Sequence, residues 1–257
     1  MRTFALAVIS TLAVLVSLHT EKANQRGQPV LNLPLFPAPI VRDHTPLTLA
    51  LGTIGASVQD GYALFGVELH AKDGKEPLVN LNLPAGSHLG DGLSEIMAQV
   101  PGYEHEVVSV HMINIYPVGA KRDSTDVLNT PVARFDAKSA DPTQILTNPS
   151  EFIPELASRL NPRRSTAGPR PSGYGGVSSR SKVPTVSLQM NQTTVRQILN
   201  AASEAMEGFP PEYYPVGWAY LFQPDPTLPA GGKHSWSFVF SAPNNWKPQP
   251  QKTAKHS

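Results

Sequence analysis

The stretch Tyr103-Glu-His-Glu-Val-Val-Ser-Val-His111 sets two carboxylates and two imidazoles within nine residues, the densest polar cluster in the chain. Such groups exchange protons near neutral pH or ligate a divalent cation. On a single strand His105 and His111, an even number of residues apart, share one face, with Glu104 and Glu106 on the other. The spacing is not that of a His-Glu-x-x-His helix, because position 109 is serine. The preferred expectation is the solvent-facing row of a half-buried strand, with His105 and His111 standing second as metal candidates. His88 and Asp91 flank a helix start and could form a proton-transfer pair, although that placement suits a helix cap better. The glycines at 86, 90 and 92 precede no Gly-Lys-Ser/Thr, Gly52-Thr-Ile-Gly55 is too sparse for a dinucleotide fingerprint, and no Gly-x-Ser-x-Gly elbow occurs. No cofactor and no catalytic residue is expected.

Aromatic residues offer a second kind of chemistry. Trp218, Tyr220 and Phe222 alternate, as do Trp236, Phe238 and Phe240, which suits the core of a small domain. Tyr213 and Tyr214, between Pro210-Pro211 and Pro215, together with Trp218 are the candidates for a peptide or glycan surface.

Composition limits what these residues can belong to. The chain has 257 residues, no cysteine, 26 prolines, 40% hydrophobic and 16% charged residues. Thiol nucleophiles, cysteine-based zinc sites and disulfide frameworks are excluded. With 21 basic and 20 acidic residues no strong field points to nucleic acid, and none is expected as a partner. Met1-Arg2 precedes an uncharged run, Phe4 to Leu18, shorter than the roughly 20 residues of a membrane span. Residues 1–23 are therefore expected to be a secretory signal peptide with Ala23 as last residue, or an uncleaved N-terminal anchor. A periplasmic or secreted location follows, with inner-membrane anchoring through residues 4–18 as the alternative; that anchor is the sole membrane contact expected.

Breaks in composition divide the rest. Residues 24–45 hold four of the prolines, with Pro46 adjoining, and are expected to form an extended arm. Residues 161–182 hold five basic and no acidic residues among Gly, Ser and Pro, a flexible linker by composition. Residues 247–257 form a disordered tail. Two folded pieces, 46–160 and 183–246, lie between.

The two pieces share a pattern. Val79, Leu81 and Leu83 alternate, and so do Val186, Leu188 and Met190. Helical spacing follows each: Leu89, Leu93, Ile96, Met97 and Val100 in the first, Val195, Ile198, Leu199, Ala202 and Met206 in the second. Thr194 and Gln197 make a capping box. Further elements are a helix over Leu47–Val58, strands at Leu64–His70, Glu104–Tyr116 and Pro131–Phe135, helices within 142–160, and an antiparallel pair built from the two aromatic strands. The predicted class is α+β: two small domains, each a small mixed sheet with helices packed on one side.

The stretch Val186-Ser-Leu-Gln-Met-Asn-Gln-Thr-Thr-Val-Arg-Gln-Ile-Leu-Asn-Ala-Ala202 resembles the short N-terminal (STN) domain of secretins and TonB-dependent receptors. The first copy is similar, with a longer turn and Gly90 in place of the arginine. The resemblance implies a small domain serving protein–protein contact or signal relay in the bacterial cell envelope. The expected function is a non-catalytic interaction module with an envelope protein as partner, by strand addition at Pro131–Phe135 or Trp236–Phe240. An exported metal-dependent hydrolase and a glycan- or peptide-binding domain are the alternatives. The oligomeric state is open.

Overall fold

The computed structural model describes residues 30–59, 62–70, 75–160, 184–206, 217–224 and 233–240, with side chains as far as Phe222. The predicted signal segment, linker and tail lie outside these residues. In chain order the elements are β1 (Ile40–Pro46), α1 (Leu47–Ala56), β2 (Leu64–His70), β3 (Leu78–Leu83), α2 (Leu89–Gln99), β4 (Tyr103–Val107), β5 (Met112–Pro117), β6 (Pro131–Ala140), the short helices α3 (Pro142–Thr147), α4 (Pro149–Phe152) and α5 (Pro154–Arg159), β7 (Val186–Thr194), α6 (Val195–Glu204), β8 (Gly217–Pro224) and β9 (Lys233–Phe240). The fold is α+β, as composition and periodicity predict.

Period-two alternation explains how β2 sits at the centre. Phe65, Val67 and Leu69 point into one core with Ile113, Ile115, Ala219 and Leu221; Leu64 points into a second with Met112, Trp218, Tyr220 and Phe222. A strand buried on both faces belongs in the middle of a sheet. β2 pairs in parallel with β5 on one side and with β8 on the other, giving a five-stranded sheet ordered β4-β5-β2-β8-β9. Helices α1 and α2 cover one face and are themselves covered by the ribbon β1–β3. Helices α3 to α6 cover the other face beneath the ribbon β6–β7. The result is five layers: ribbon, helices, sheet, helices, ribbon.

This pairing corrects the division into two separately folded pieces. β8 belongs by sequence to the second piece and hydrogen-bonds to β2 of the first; β7 does the same with β6. The helices therefore lie on both faces of one shared sheet. The duplication itself is visible in the backbone. β1 pairs with β3 through Thr45 opposite Val79, and β6 with β7 through Ala140 opposite Val186. Each ribbon carries a bulge just before that pair, with a residue at positive φ in it, His44 (45°) or Ser139 (49°). In both, the partner strand's side chain accepts the freed N–H: Asn80 Oδ1 from His44 N at 2.8 Å, Ser187 Oγ from Ser139 N at 3.2 Å. A helix starts three residues after the positive-φ residue in each case. β2 has no counterpart in the second copy among the described residues, and both copies use the same strand.

The extended arm is also corrected from residue 30 onward. Val30, Leu35 and Ile40 enter the first core, Val30 with no exposure at all. Leu35 N donates to Ser87 O and Leu89 N to Leu33 O, so this proline-rich segment lies along the start of α2. Prolines shaped the path without preventing its burial.

The strand expected over Glu104–Tyr116 is a hairpin instead, β4 and β5, with a turn at 108–111. Ser109 Oγ accepts from the backbone N–H groups of His111 and Met112 and donates to Glu204, which closes the turn. The short strand expected at Pro131–Phe135 runs on to Ala140.

Candidate functional site

Polar residues collect on the face of the sheet that meets α6. The helix is apolar at Val195, Ile198, Leu199 and Ala202, yet Arg196, Asn200 and Ser203 at i, i+4 and i+7 are also buried. Such a stripe needs partners in the sheet, because an unpaired buried polar group is costly. Trp218 Nε1 donates to Asn200 Oδ1 at 3.0 Å. Arg196 Nη2 donates to Glu68 Oε2 at 2.6 Å, and its guanidinium carbon stands 5.1 Å from the centre of the Tyr116 ring. Gly66 makes room for this layer: a Cβ there would stand 2.4 Å from Asn114 Oδ1 and 2.6 Å from the Trp218 ring.

Glu68 is the centre of the group. Its side chain is 0% exposed, with Arg196 at 6%. His70, two residues on along the same face of β2, places Nε2 2.7 Å from Glu68 Oε1 and is 36% exposed. Asp126 comes from the opposite direction as the cap of a 3-10 turn, Val127–Asn129, where Oδ1 accepts from Leu128 N at 2.7 Å. Its carboxyl lies close to that of Glu68, with ligand atoms no more than 4.8 Å apart. Glu68, His70 and Asp126 each bring one ligand atom to a common point, all within 4.8 Å of one another.

The electrostatics separate the two carboxyls. Burial alone would raise Glu68, but the proximity of His70, Asp126 and Arg196 outweighs it and holds the group at about 2. Burial and then the Glu68 carboxylate push Asp126 up to about 7. Two carboxyls in contact cannot both ionise without a positive group between or beside them. The arrangement can therefore hold a proton or a cation, and Arg196 neutralises one of the two charges.

The residues singled out by sequence are not at this place. His105 projects from β4, exposed, into an open cleft of about 330 Å³ that it lines with Leu31, Asn32, His88, Asp91 and Ser94. His111 lies in the turn, its ring stacked on Tyr62 with centroids 4.4 Å apart. The hairpin thus separates the two histidines expected on one strand face. His88 and Asp91 do form a cap, with His88 N donating to Asp91 Oδ2 at 2.8 Å. Trp218 is 1% exposed and bonded to Asn200, so it is a core residue and not part of a binding surface: strand β8 lies inside the sheet. Tyr213 and Tyr214 lie outside the described residues.

Sequence reasoning missed Glu68, His70, Asp126 and Arg196 as a group. One signal was present. Leu64-Phe-Gly-Val-Glu-Leu69 is apolar except for Glu68, and a lone acid in a two-face-buried strand requires a buried base somewhere else in the chain.

The backbone offers a second functional feature. Among the described residues the five-stranded sheet ends on β4 and β9, each paired on one side. β4 is five residues long and ends at the half-exposed Val107. β9 keeps unbroken register with β8 over eight pairs, from Gly217 opposite Phe240 to Pro224 opposite Lys233. No helix among the described residues is long and apolar enough to cross a membrane. No family model, no curated protein and no solved structure matches the chain.

Proposed function

We propose that this is an exported, non-catalytic module of the bacterial cell envelope that binds a partner protein by taking up one of its strands at β9. The observation that carries this reading is the outer side of β9: eight residues in regular register with β8 and, among the described residues, no strand on the other side, helix α3 being the element packed close to it. Proteins normally blunt such edges with proline, bulges, charge or short length. The other candidate edge, Pro131–Phe135, has those devices: it begins with Pro131, belongs to a strand with a bulge, and carries the ion pair Arg134–Asp136. β9, Lys-His-Ser-Trp-Ser-Phe-Val-Phe, has one lysine at its start and no proline.

The apolar run at Phe4–Leu18 and the absence of cysteine support export. The likeness of 186–202 to the STN domain supports an envelope partner, with no part for nucleic acid. Main-chain pairing would supply affinity and the alternating side chains specificity.

The test is hydrogen exchange on the purified chain, alone and with a partner recovered from envelope extract. Slowed exchange confined to 233–240 and its neighbours is the expected result. Protection at another surface, with β9 unchanged, overturns the strand-addition reading.

A further inference from the structure

We propose that Glu68, His70 and Asp126 bind one divalent first-row transition cation, of the zinc class, in a site shared by the two copies of the fold. This does not depend on the partner-binding reading. The three ligand atoms lie within 4.8 Å of one another, and each residue is held from behind. Glu68 Oε2 is anchored by Arg196 at 2.6 Å, Asp126 Oδ1 by Leu128 N at 2.7 Å. The His70 ring stands edge-on against Phe222 with centroids 5.1 Å apart, and its backbone N–H donates to Tyr103 Oη at 3.2 Å. Each residue keeps one ligand atom close to those of the other two. Ligand residues fixed by outer partners in this way are the common construction of metal sites.

A second observation points to a positive occupant. Glu68 Oε1 is fully buried and accepts no aligned hydrogen bond. His70 Nε2 stands 2.7 Å from it, close but too poorly aligned to make a regular hydrogen bond. An imidazole nitrogen and two carboxyl oxygens gathered at one spot form a donor set that a cation completes. Ligands about 2.1 Å from a tetrahedral zinc stand roughly 3.4 Å apart, so His70 and Glu68 must part by about 0.7 Å. That is a side-chain rotation at the half-exposed His70.

Donor type and charge set the cation. Two carboxylate oxygens with one imidazole favour zinc or its neighbours over calcium or magnesium, which take oxygen alone. The two carboxylates and Arg196 leave a net charge of minus one, so a dication gives plus one. The site opens to solvent past His70, where water completes the coordination. Arg196 weakens the field at the site and so lowers its affinity for a dication.

The experiment uses the full chain, stripped with EDTA and titrated with zinc chloride by calorimetry, with cobalt(II) as a spectroscopic probe. One zinc per chain is expected, together with visible cobalt d–d bands. His70→Ala should weaken zinc binding by about 100-fold or more, since loss of an outer-shell partner alone typically gives 10–100-fold. Asp126→Asn should do the same, and circular dichroism melts show that both variants fold. His105→Ala should leave binding unchanged. Absence of stoichiometric zinc would mean that a proton occupies the place and overturns the proposal. So would zinc retained in folded His70→Ala, or lost in His105→Ala.

Discussion

Arg196 and Glu68 are 128 residues apart in the chain, yet Nη2 and Oε2 meet at 2.6 Å with both side chains almost wholly out of water. Arg196 lies in the first turn of the helix of the second copy and Glu68 on the strand both copies share. The pair therefore fixes which face of α6 turns to the sheet. A buried ion pair is seldom a large net stabiliser, but removing one partner leaves an uncompensated charge.

Arg196→Met should lower stability by about 3–5 kcal/mol, or roughly 10 °C in melting temperature for a chain of this size. Adding Glu68→Leu to it should recover much of that loss, because an apolar pair of similar volume removes the stranded carboxylate. Urea unfolding of wild type, both single variants and the double variant measures this. A double variant no more stable than Arg196→Met would show that packing, not charge, dominates.

The pattern of elements was legible in the sequence, because it depends on neighbours along the chain. The alternation at Val79–Leu83 and at Val186–Met190, the spacing of α2 and α6, and the antiparallel pairing of the aromatic strands all follow from local periodicity. The pairing of β2 with β8 does not: Phe65 opposite Gly217 is a contact between distant segments that leaves no local mark. For the same reason the site was hidden. Its residues come from β2, the turn at 126 and α6, and only the lone Glu68 in an apolar strand hinted at a distant partner. His105 and His111 were misplaced because Ser109 closes a turn that periodicity alone shows as continuous strand.

The acidic pair makes stability depend on pH in opposite senses. Glu68 is depressed from 4.5 to about 2, so its contribution is complete above 4.5 and fades as pH falls toward 2. Asp126 is raised from 3.8 to about 7, so its contribution is complete below 3.8, declines as pH rises and levels off above 7. With EDTA present, Asp126→Asn should keep the cap on Leu128 and remove the second effect. Measured against wild type, the variant should gain relative stability steadily between about pH 4 and 7, then plateau. A difference independent of pH would show that Asp126 does not titrate beside Glu68.

Gly66 is set by close approach and not by backbone conformation. Gly66→Ala forces a methyl against Asn114 Oδ1 and the Trp218 ring, at 2.4 and 2.6 Å before relaxation. Overpacking of this kind should lower stability by about 1–3 kcal/mol. The displaced Trp218 should also lose its bond to Asn200, visible as a shift in tryptophan fluorescence. An unchanged melt and spectrum would mean that the layer between sheet and α6 has slack.

A sheet shared by both copies predicts one cooperative unit. Cut off from β8, β2 would expose one side of its backbone and the face of Leu64, Gly66 and Glu68; cut off from β2, β8 would expose Trp218 and Tyr220. Neither half keeps a closed core. Heat unfolding of the intact chain should therefore show a single transition, with calorimetric and van't Hoff enthalpies equal. Residues 1–160 and 184–257, expressed as separate chains, should each be unfolded alone and should associate on mixing, recovering the far-ultraviolet spectrum of the intact protein. Arg196→Met in the second chain should weaken that association, since the ion pair with Glu68 crosses the cut. Two independent transitions, or a first half that melts cooperatively by itself, would restore the division into two domains.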